Sequence, residues 1–388
     1  MIKKYIMTPG PTPISEEVLM EHGRPLMHHR SPEFSEIFID VTEKLKKLLK
    51  TKNDVFILTS SGTGGMEAAI VNFFSSGDRV LVVNIGNFGE RFKKISGVYG
   101  MDVISLDYEW GDAANPDDIK KVLDENPGIK GVLIQLSETS TGALNDIKTI
   151  GSIVKEYPAI LIVDAISGLG ASDLNTDEWN LDVVIGGSQK ALSAPSGAAF
   201  ISVSENAWKL NENSHLENFY FDLAAAKKYA AKTPPQTPWT PAISIIVAMK
   251  KALDMMFEEG LEKVFERHRI IAMATQRAVE KMGLELLVKD KSKRGFSVTS
   301  IIVPEGIAGK DITRIMRVKY GVTIAGGQGS YAGKIVRIGH LGYFGLFDVI
   351  IAISALELTL RELGYKFETG SGITEAEKTF MENNYLED

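Results

Sequence analysis

The chain contains no cysteine, which excludes a disulfide framework, a thiolate metal site and any mechanism built on a protein cysteine nucleophile. No metal site of another kind is expected either. A run of ~18 continuous apolar residues, the length of a membrane-spanning helix, is missing. The opening MIKKYIMTPGPTP carries lysines without the apolar stretch of a signal peptide. A cytoplasmic location with no membrane partner is therefore expected. No basic block occurs, and 43 Lys and Arg against 50 Asp and Glu leave a net charge of −7. That balance argues against nucleic acid as a partner. Internal repeats and low-complexity tracts are also absent.

What is present is an ordinary globular composition, 44% hydrophobic over 388 residues, enough for two domains of unequal size. The most informative stretch runs from Pro158 to Gly197. Its two apolar runs, AILIVDA (159–165) and LDVVIGGS (181–188), are short, β-branched and closed by small residues, the pattern of buried parallel strands. The first ends on Asp164, and the second leads to Lys190, 26 residues later, room for one crossover between neighbouring strands. Ligands of open α/β sheets lie beyond the carboxyl ends of the strands. An acid that can hold a pyridine nitrogen protonated and an amine that can form a Schiff base are the pair that pyridoxal phosphate chemistry needs. Taken singly, each has a plain structural explanation, as a strand-end turn and a solvated lysine. The small residues of GGSQKALSAPSG around Lys190 let the backbone approach a ligand and favour the chemical reading.

Earlier in the chain, MTPGPTP reads as an extended arm because its prolines suit neither a helix nor a central strand. Ser15 opens a short helix, and Ser31-Pro32 opens a longer one to about Leu49. The segment VFILTSSGTGGMEAAIVNFF reads as strand, glycine-rich turn and helix. Thr63, Gly64 and Gly65 stand at the helix start, where N–H groups and the helix dipole suit a phosphate. No Gly-Lys-Ser/Thr follows, so this is not a Walker A loop. Asn87-Phe88-Gly89 is expected in a strand-end loop where the aromatic could cover a flat ring. The strand GVLIQL ends in Ser137, Glu138, Thr139, Ser140 and Thr141, a cluster able to bond a phenolic oxygen. The β-α repetition from Val55 to Ile201 is that of a parallel sheet with helices on both faces.

Thr233–Pro241, with four prolines, marks a loop before an apolar helix from Ala242 to about Glu258. A helix over 261–282 then leads to strands GLELLV, FSVTSIIVP, VTIAGG and KIVRIGHLG, with helices 311–320 and 347–364. Arg337 inside an apolar strand calls for a carboxylate, from the protein or from a substrate. The acidic end from Glu368 is expected to be frayed.

The motifs TPGPTP, HHRSPEF, SSGTGGMEAA, GNFGERF, SETSTG, VDAISGLG, GSQKAL, TPWTPA and KIVRIGHLG run in order over Met7 to Gly342. In them the chain resembles the class V pyridoxal phosphate-dependent aminotransferases, nearest the alanine-glyoxylate and serine-pyruvate group. The resemblance implies an α/β type I fold: a large domain with a mostly parallel sheet flanked by helices, and a smaller C-terminal α+β domain. The expected division is an arm at 1–14, a cofactor domain at 15–258 and a small domain at 259–388. It implies Lys190 as Schiff-base lysine and proton shuttle, and Asp164 on the pyridinium nitrogen. Thr63, Gly64, Gly65 and Gln189 would hold the phosphate, Thr139 the ring hydroxyl, and Phe88 would stack on the ring. Thr240 would reach the phosphate of a neighbouring subunit, implying a homodimer with shared sites. Arg337 would bind the substrate carboxylate beside the backbone of Gly10.

The implied reaction moves an amino group from a small L-amino acid, alanine or serine, to a 2-oxo acid such as glyoxylate or pyruvate, in ping-pong fashion. An aspartate-using member is the alternative, with His29 or Arg30 meeting the second carboxylate. Phosphorylated substrates would call for more basic residues near the arm, and glycine-like donors such as ureidoglycine remain open. Outside this chemistry, a non-catalytic scaffold or subunit is the competing class. A dinucleotide-binding dehydrogenase lacks its G-x-G-x-x-G signature here.

Overall fold

The structure, a computed structural model, describes residues 2–385. Seven strands form its central sheet: β1 (Asp54–Leu58), β2 (Arg79–Asn84), β3 (Asp102–Asp107), β4 (Ile129–Gln135), β5 (Ile160–Asp164), β6 (Val183–Gly187) and β7 (Ala199–Val203). Their spatial order is β1-β7-β6-β5-β4-β2-β3. All pairings are parallel except those of β7, which runs antiparallel to both β1 and β6. The repetition therefore breaks at its last strand. Residues 188–198 turn back without a helix, whereas a parallel return needs a longer crossover. Between β5 and β6 the connection is likewise built of turns.

Successive residues of each strand feed two cores. Leu81 and Val83 face one and Val80 and Val82 the other, as the two-residue strand period requires. Helices cover both faces, and their starts are written locally. Ser31 caps helix Pro32–Leu49 by accepting from the Phe34 N–H, and Asn115 caps Pro116–Glu125. Helix Gly62–Phe73 lies close against the sheet because a Cβ on Gly65 would come within 2.7 Å of Ile185 in β6.

A third core gathers Met7, the second half of helix Leu261–Lys281, and helices Leu346–Glu362 and Ser371–Glu382 around a three-stranded antiparallel sheet. That sheet comprises β8 (Val298–Ile302), β9 (Ala325–Gly326) and β10 (Ile335–Gly339). The expected strand GLELLV is only a single bridge, Leu286 to Ile301. Its leucines are buried individually rather than in a ladder. The acidic end is not frayed over its described part. Helix Ser371–Glu382 buries Ala376 and Phe380, and Arg277 of the long helix meets Glu382 at 2.8 Å; residues 386–388 lie outside the described residues. The N-terminal arm crosses to this C-terminal sheet region. Tyr5–Ile6 pairs in parallel with Val322–Thr323, and the Gly339 N–H donates to the Met7 carbonyl at 2.9 Å. Among the described residues no helix is long and apolar enough to cross a membrane.

Candidate active site

Asp164 is the last residue of β5, paired in register with Gln135 on one side and Ile185 on the other. It is 5% exposed, and its Oδ1 accepts from the Ile166 N–H at 2.9 Å. Burial pushes its carboxyl up to about 7, against the pull of that hydrogen bond. Lys190 lies three residues beyond β6, in a turn fixed from three directions. The Ser193 N–H and the Thr12 hydroxyl donate to its carbonyl at 2.9 and 3.0 Å, and Ser193 Oγ accepts from the Tyr343 N–H.

The Lys190 side chain is 8% exposed, and its Nζ donates to the carbonyl of Pro9 at 2.5 Å. Burial pushes the amine down to about 8; Asp164 opposes this, while Arg337 and Arg91 add to it. A buried amine near neutrality can shed its proton and act as nucleophile or base. The arm that supplies Pro9 closes tightly over it. Gly10 has φ +144°, and a Cβ there would fall 2.6 Å from Nζ.

Arg337 projects from β10 and is 5% exposed. Its Nε donates to the Gly326 carbonyl at 2.9 Å and its Nη1 to the Thr139 carbonyl at 2.8 Å. Both hydrogen bonds go to main-chain carbonyls, and the carboxylate that attracts the guanidinium through space is buried Glu138, which offsets part of the cost of burying it. Thr139 directs its hydroxyl to Ser167, three residues past Asp164. The Oε1 of Gln189 is buried without a protein partner, an orphan that a bound ligand would satisfy.

Phe88 differs from its expected setting. Residues 87–89 open helix Asn87–Val98 instead of lying in a loop. The guanidinium of Arg91, one turn on, lies 4.5 Å from the Phe88 ring centre and donates to Thr63 Oγ1 at 2.8 Å. Arg91 thus joins the phosphate-type cradle at the start of helix Gly62–Phe73 to the aromatic; the i, i+3 spacing within GNFGERF is the signal that could have revealed it. Buried Glu138 in SETSTG carries no such spacing signal, because in sequence it is one of a run of polar residues.

The structure does not bring every expected residue to this site. Arg30 donates to Gln236 Oε1 at 2.8 Å and to the Thr237 carbonyl at 2.9 Å, which ties it to the proline-rich loop. His29 lies tilted against exposed His28, with ring centres 4.7 Å apart and 39° between the ring planes, and burial and Arg30 hold its imidazole below the usual range. Thr240 is exposed on that loop.

The family model described as aminotransferase class-V matches residues 14–341. A protein of Synechococcus sp. named soluble hydrogenase, small subunit, is 44% identical over 97% of this chain and 98% of its own. The serine–glyoxylate aminotransferase of Methylorubrum extorquens is 34% identical, covering 98% of this chain and 97% of its own. Among solved structures, ureidoglycine-glyoxylate aminotransferase from Bacillus subtilis superposes with a TM-score of 0.93 at 32% identity, over 98% of this chain and 99% of that one. The buried lysine and acid at adjacent strand ends, the buried arginine and these matches over almost the full length converge: the chain belongs to the class V aminotransferases, a family that uses pyridoxal phosphate.

Proposed function

We propose that the chain is a pyridoxal phosphate-dependent transaminase taking the amino group of a small L-amino acid, alanine or serine, to glyoxylate or pyruvate. The observation that carries this reading is the Lys190 amine, buried beside Asp164, with the Pro9 carbonyl as its hydrogen-bond partner and the buried Arg337 hydrogen-bonded to main-chain carbonyls. The residues present fit the cofactor. The Thr63 N–H at the open start of its helix and the side chain of Gln189 would hold its phosphate, with Gly64 and Gly65, whose N–H groups donate to the Ser61 carbonyl at 2.9 and 3.4 Å, lining the cradle; Thr139 would hold its hydroxyl and Asp164 its ring nitrogen, with Phe88 over the ring.

When bound, the group supplies an aldehyde that takes up nitrogen and a ring that accommodates an electron pair. The protein does the rest. Arg337 holds the carboxylate common to donor and acceptor, and the Gly10 backbone limits the space beside it. The Lys190 amine, released from the cofactor, would take and return the proton at the substrate carbon. Asp164, ionised when it faces a cation, would hold a proton on the ring nitrogen. The arm over Lys190 limits water.

We further propose the division into arm, cofactor domain and small domain at 1–14, 15–258 and 259–388, and a homodimer in which exposed Thr240 serves the neighbouring site. Small donors are favoured over aspartate because Arg30 is occupied by the proline-rich loop. The glyoxylate-using names of relatives support the acceptor.

The test is a visible absorption titration of cofactor-loaded protein with L-alanine, L-serine and L-aspartate, followed by glyoxylate or pyruvate. Bleaching by alanine or serine and recovery with an oxo acid are expected. A second reading, a scaffold subunit, is favoured by the name of the Synechococcus relative. It would be the outcome if the protein took up no pyridoxal phosphate at all.

A further inference from the structure

Glu138 has no part in the roles above, yet it is fully buried and all its hydrogen bonds point inward. Its Oε1 accepts from the Ser140 N–H at 3.0 Å and the Ser140 hydroxyl at 2.6 Å. Its Oε2 accepts from the N–H groups of Phe88 and Gly89 at 3.0 and 3.2 Å. Helix Asn87–Val98 has Gly86 at its N-cap, with no side chain to satisfy its first N–H groups. Glu138 does so from fifty residues away in sequence, and an anion there also suits the helix dipole. Ser140 Oγ accepts from the remaining Asn87 N–H at 2.9 Å. Three of the four donors to Glu138 are main-chain N–H groups, which can only donate, so both oxygens serve as acceptors.

The next residue along, Thr139, gives its carbonyl to Arg337 and its hydroxyl to Ser167. One buried carboxylate therefore joins the element carrying Phe88 to the turn that seats Arg337. Resting on the reading of the preceding subsection, we propose that Glu138 is a positioning residue. It fixes Phe88 over the cofactor ring and, through Thr139, fixes Arg337 for the substrate carboxylate. The packing agrees. A Cβ on Gly86 would come within 2.5 Å of Glu138 Cγ and of Ser140 Oγ, so the cap and the carboxylate fit each other without slack.

Two substitutions test this. Glu138→Gln keeps the shape but sets an amide NH₂ against main-chain N–H groups in either orientation. Gly86→Ala leaves the charge intact and pushes on the carboxylate; with φ 167° the backbone at 86 is extended and accepts alanine. Cofactor-free wild type and both variants are titrated with pyridoxal phosphate, and melting of the free proteins, visible circular dichroism of the saturated proteins and KM values are recorded. Both variants are expected to raise the cofactor Kd by about tenfold or more. Both should change the dichroism of the bound ring and raise KM for donor and acceptor together. If E138Q does not fold, G86A alone decides.

Wild-type Kd and dichroism in the variants that fold overturn the assignment, as does a lower melting temperature with unchanged binding. A change in E138Q with none in G86A overturns it too, in favour of charge alone. If wild type takes up no cofactor, the transaminase reading falls and this assignment with it.

Discussion

Replacing Lys190 by methionine should make the cofactor-free protein more stable while abolishing its activity. Burial holds the amine at about 8 instead of 10.5, which corresponds to roughly 3 kcal/mol against the charged form. The folded value is the lower one, so the full penalty is present below pH 8 and fades as pH rises from about 8 to 10.5. Methionine has similar length and no charge. It forfeits the hydrogen bond to the Pro9 carbonyl, worth about 1 kcal/mol. Asp164, already pushed up to about 7, takes a proton when the ammonium beside it goes, so little further penalty arises there. The balance is a gain of roughly 2 kcal/mol, or about 2–3 °C in Tm for a chain of this size. Differential scanning calorimetry of both cofactor-free proteins at about pH 7 and about pH 9.5 measures it, and the gap should shrink at the higher pH. A methionine variant melting at or below wild type at pH 7, or a gap that widens with pH, refutes the reasoning.

Gly10→Ala puts a methyl group on Nζ at a φ of +144°. The strain of about 1–2 kcal/mol and a displaced Lys190 should lower kcat/KM by about tenfold or more, checked by steady-state kinetics beside a melting curve. Arg337→Ala removes the buried guanidinium proposed to clamp substrate carboxylates; KM should rise roughly 10–100-fold for amino and oxo acids alike, and a rise for one substrate only would contradict a shared clamp. His268 and His340 are buried and neutral, pushed down by burial to about 3 and about 4 from an ordinary 6.5. The unfolded chain binds these protons first, so stability should fall as pH drops from about 6.5 towards 4, by up to roughly 2.7 kcal/mol per pH unit for the pair. Urea midpoints against pH measure the slope, and His340→Gln should lessen it.

The strand ends that carry Asp164 and Lys190 were legible because β5 and β6 are buried on both faces and announce themselves as apolar runs. Helix starts at Ser15, Ser31 and Asn115 were legible because a cap is a local signal. Long-range contacts were not. The bond from Lys190 to Pro9 joins residues 181 apart, and nothing in MTPGPTP names its target. Glu138 among serines and threonines looks like a solvated turn; only folding reveals donors on all sides of it. The reversal of β7 hung on an eleven-residue connection whose length does not specify direction. GLELLV has strand-like alternation, but its neighbour offers one bridge. The acidic C-terminal segment hid a helix because Ala376 and Phe380 are sparse among charges.

The arm that lies over Lys190 also dictates an order of assembly. Tyr5 and Ile6 are made before the central sheet, yet their pairing partners Val322 and Thr323 are made more than three hundred residues later. The central sheet, complete in sequence by Val203, can form while the arm still has nowhere to dock. The amine thus receives its carbonyl partner only once the C-terminal sheet exists. A chain interrupted before Val322 would leave the lysine uncovered, so an arm synthesised ahead of the whole central sheet is among the last segments to be seated.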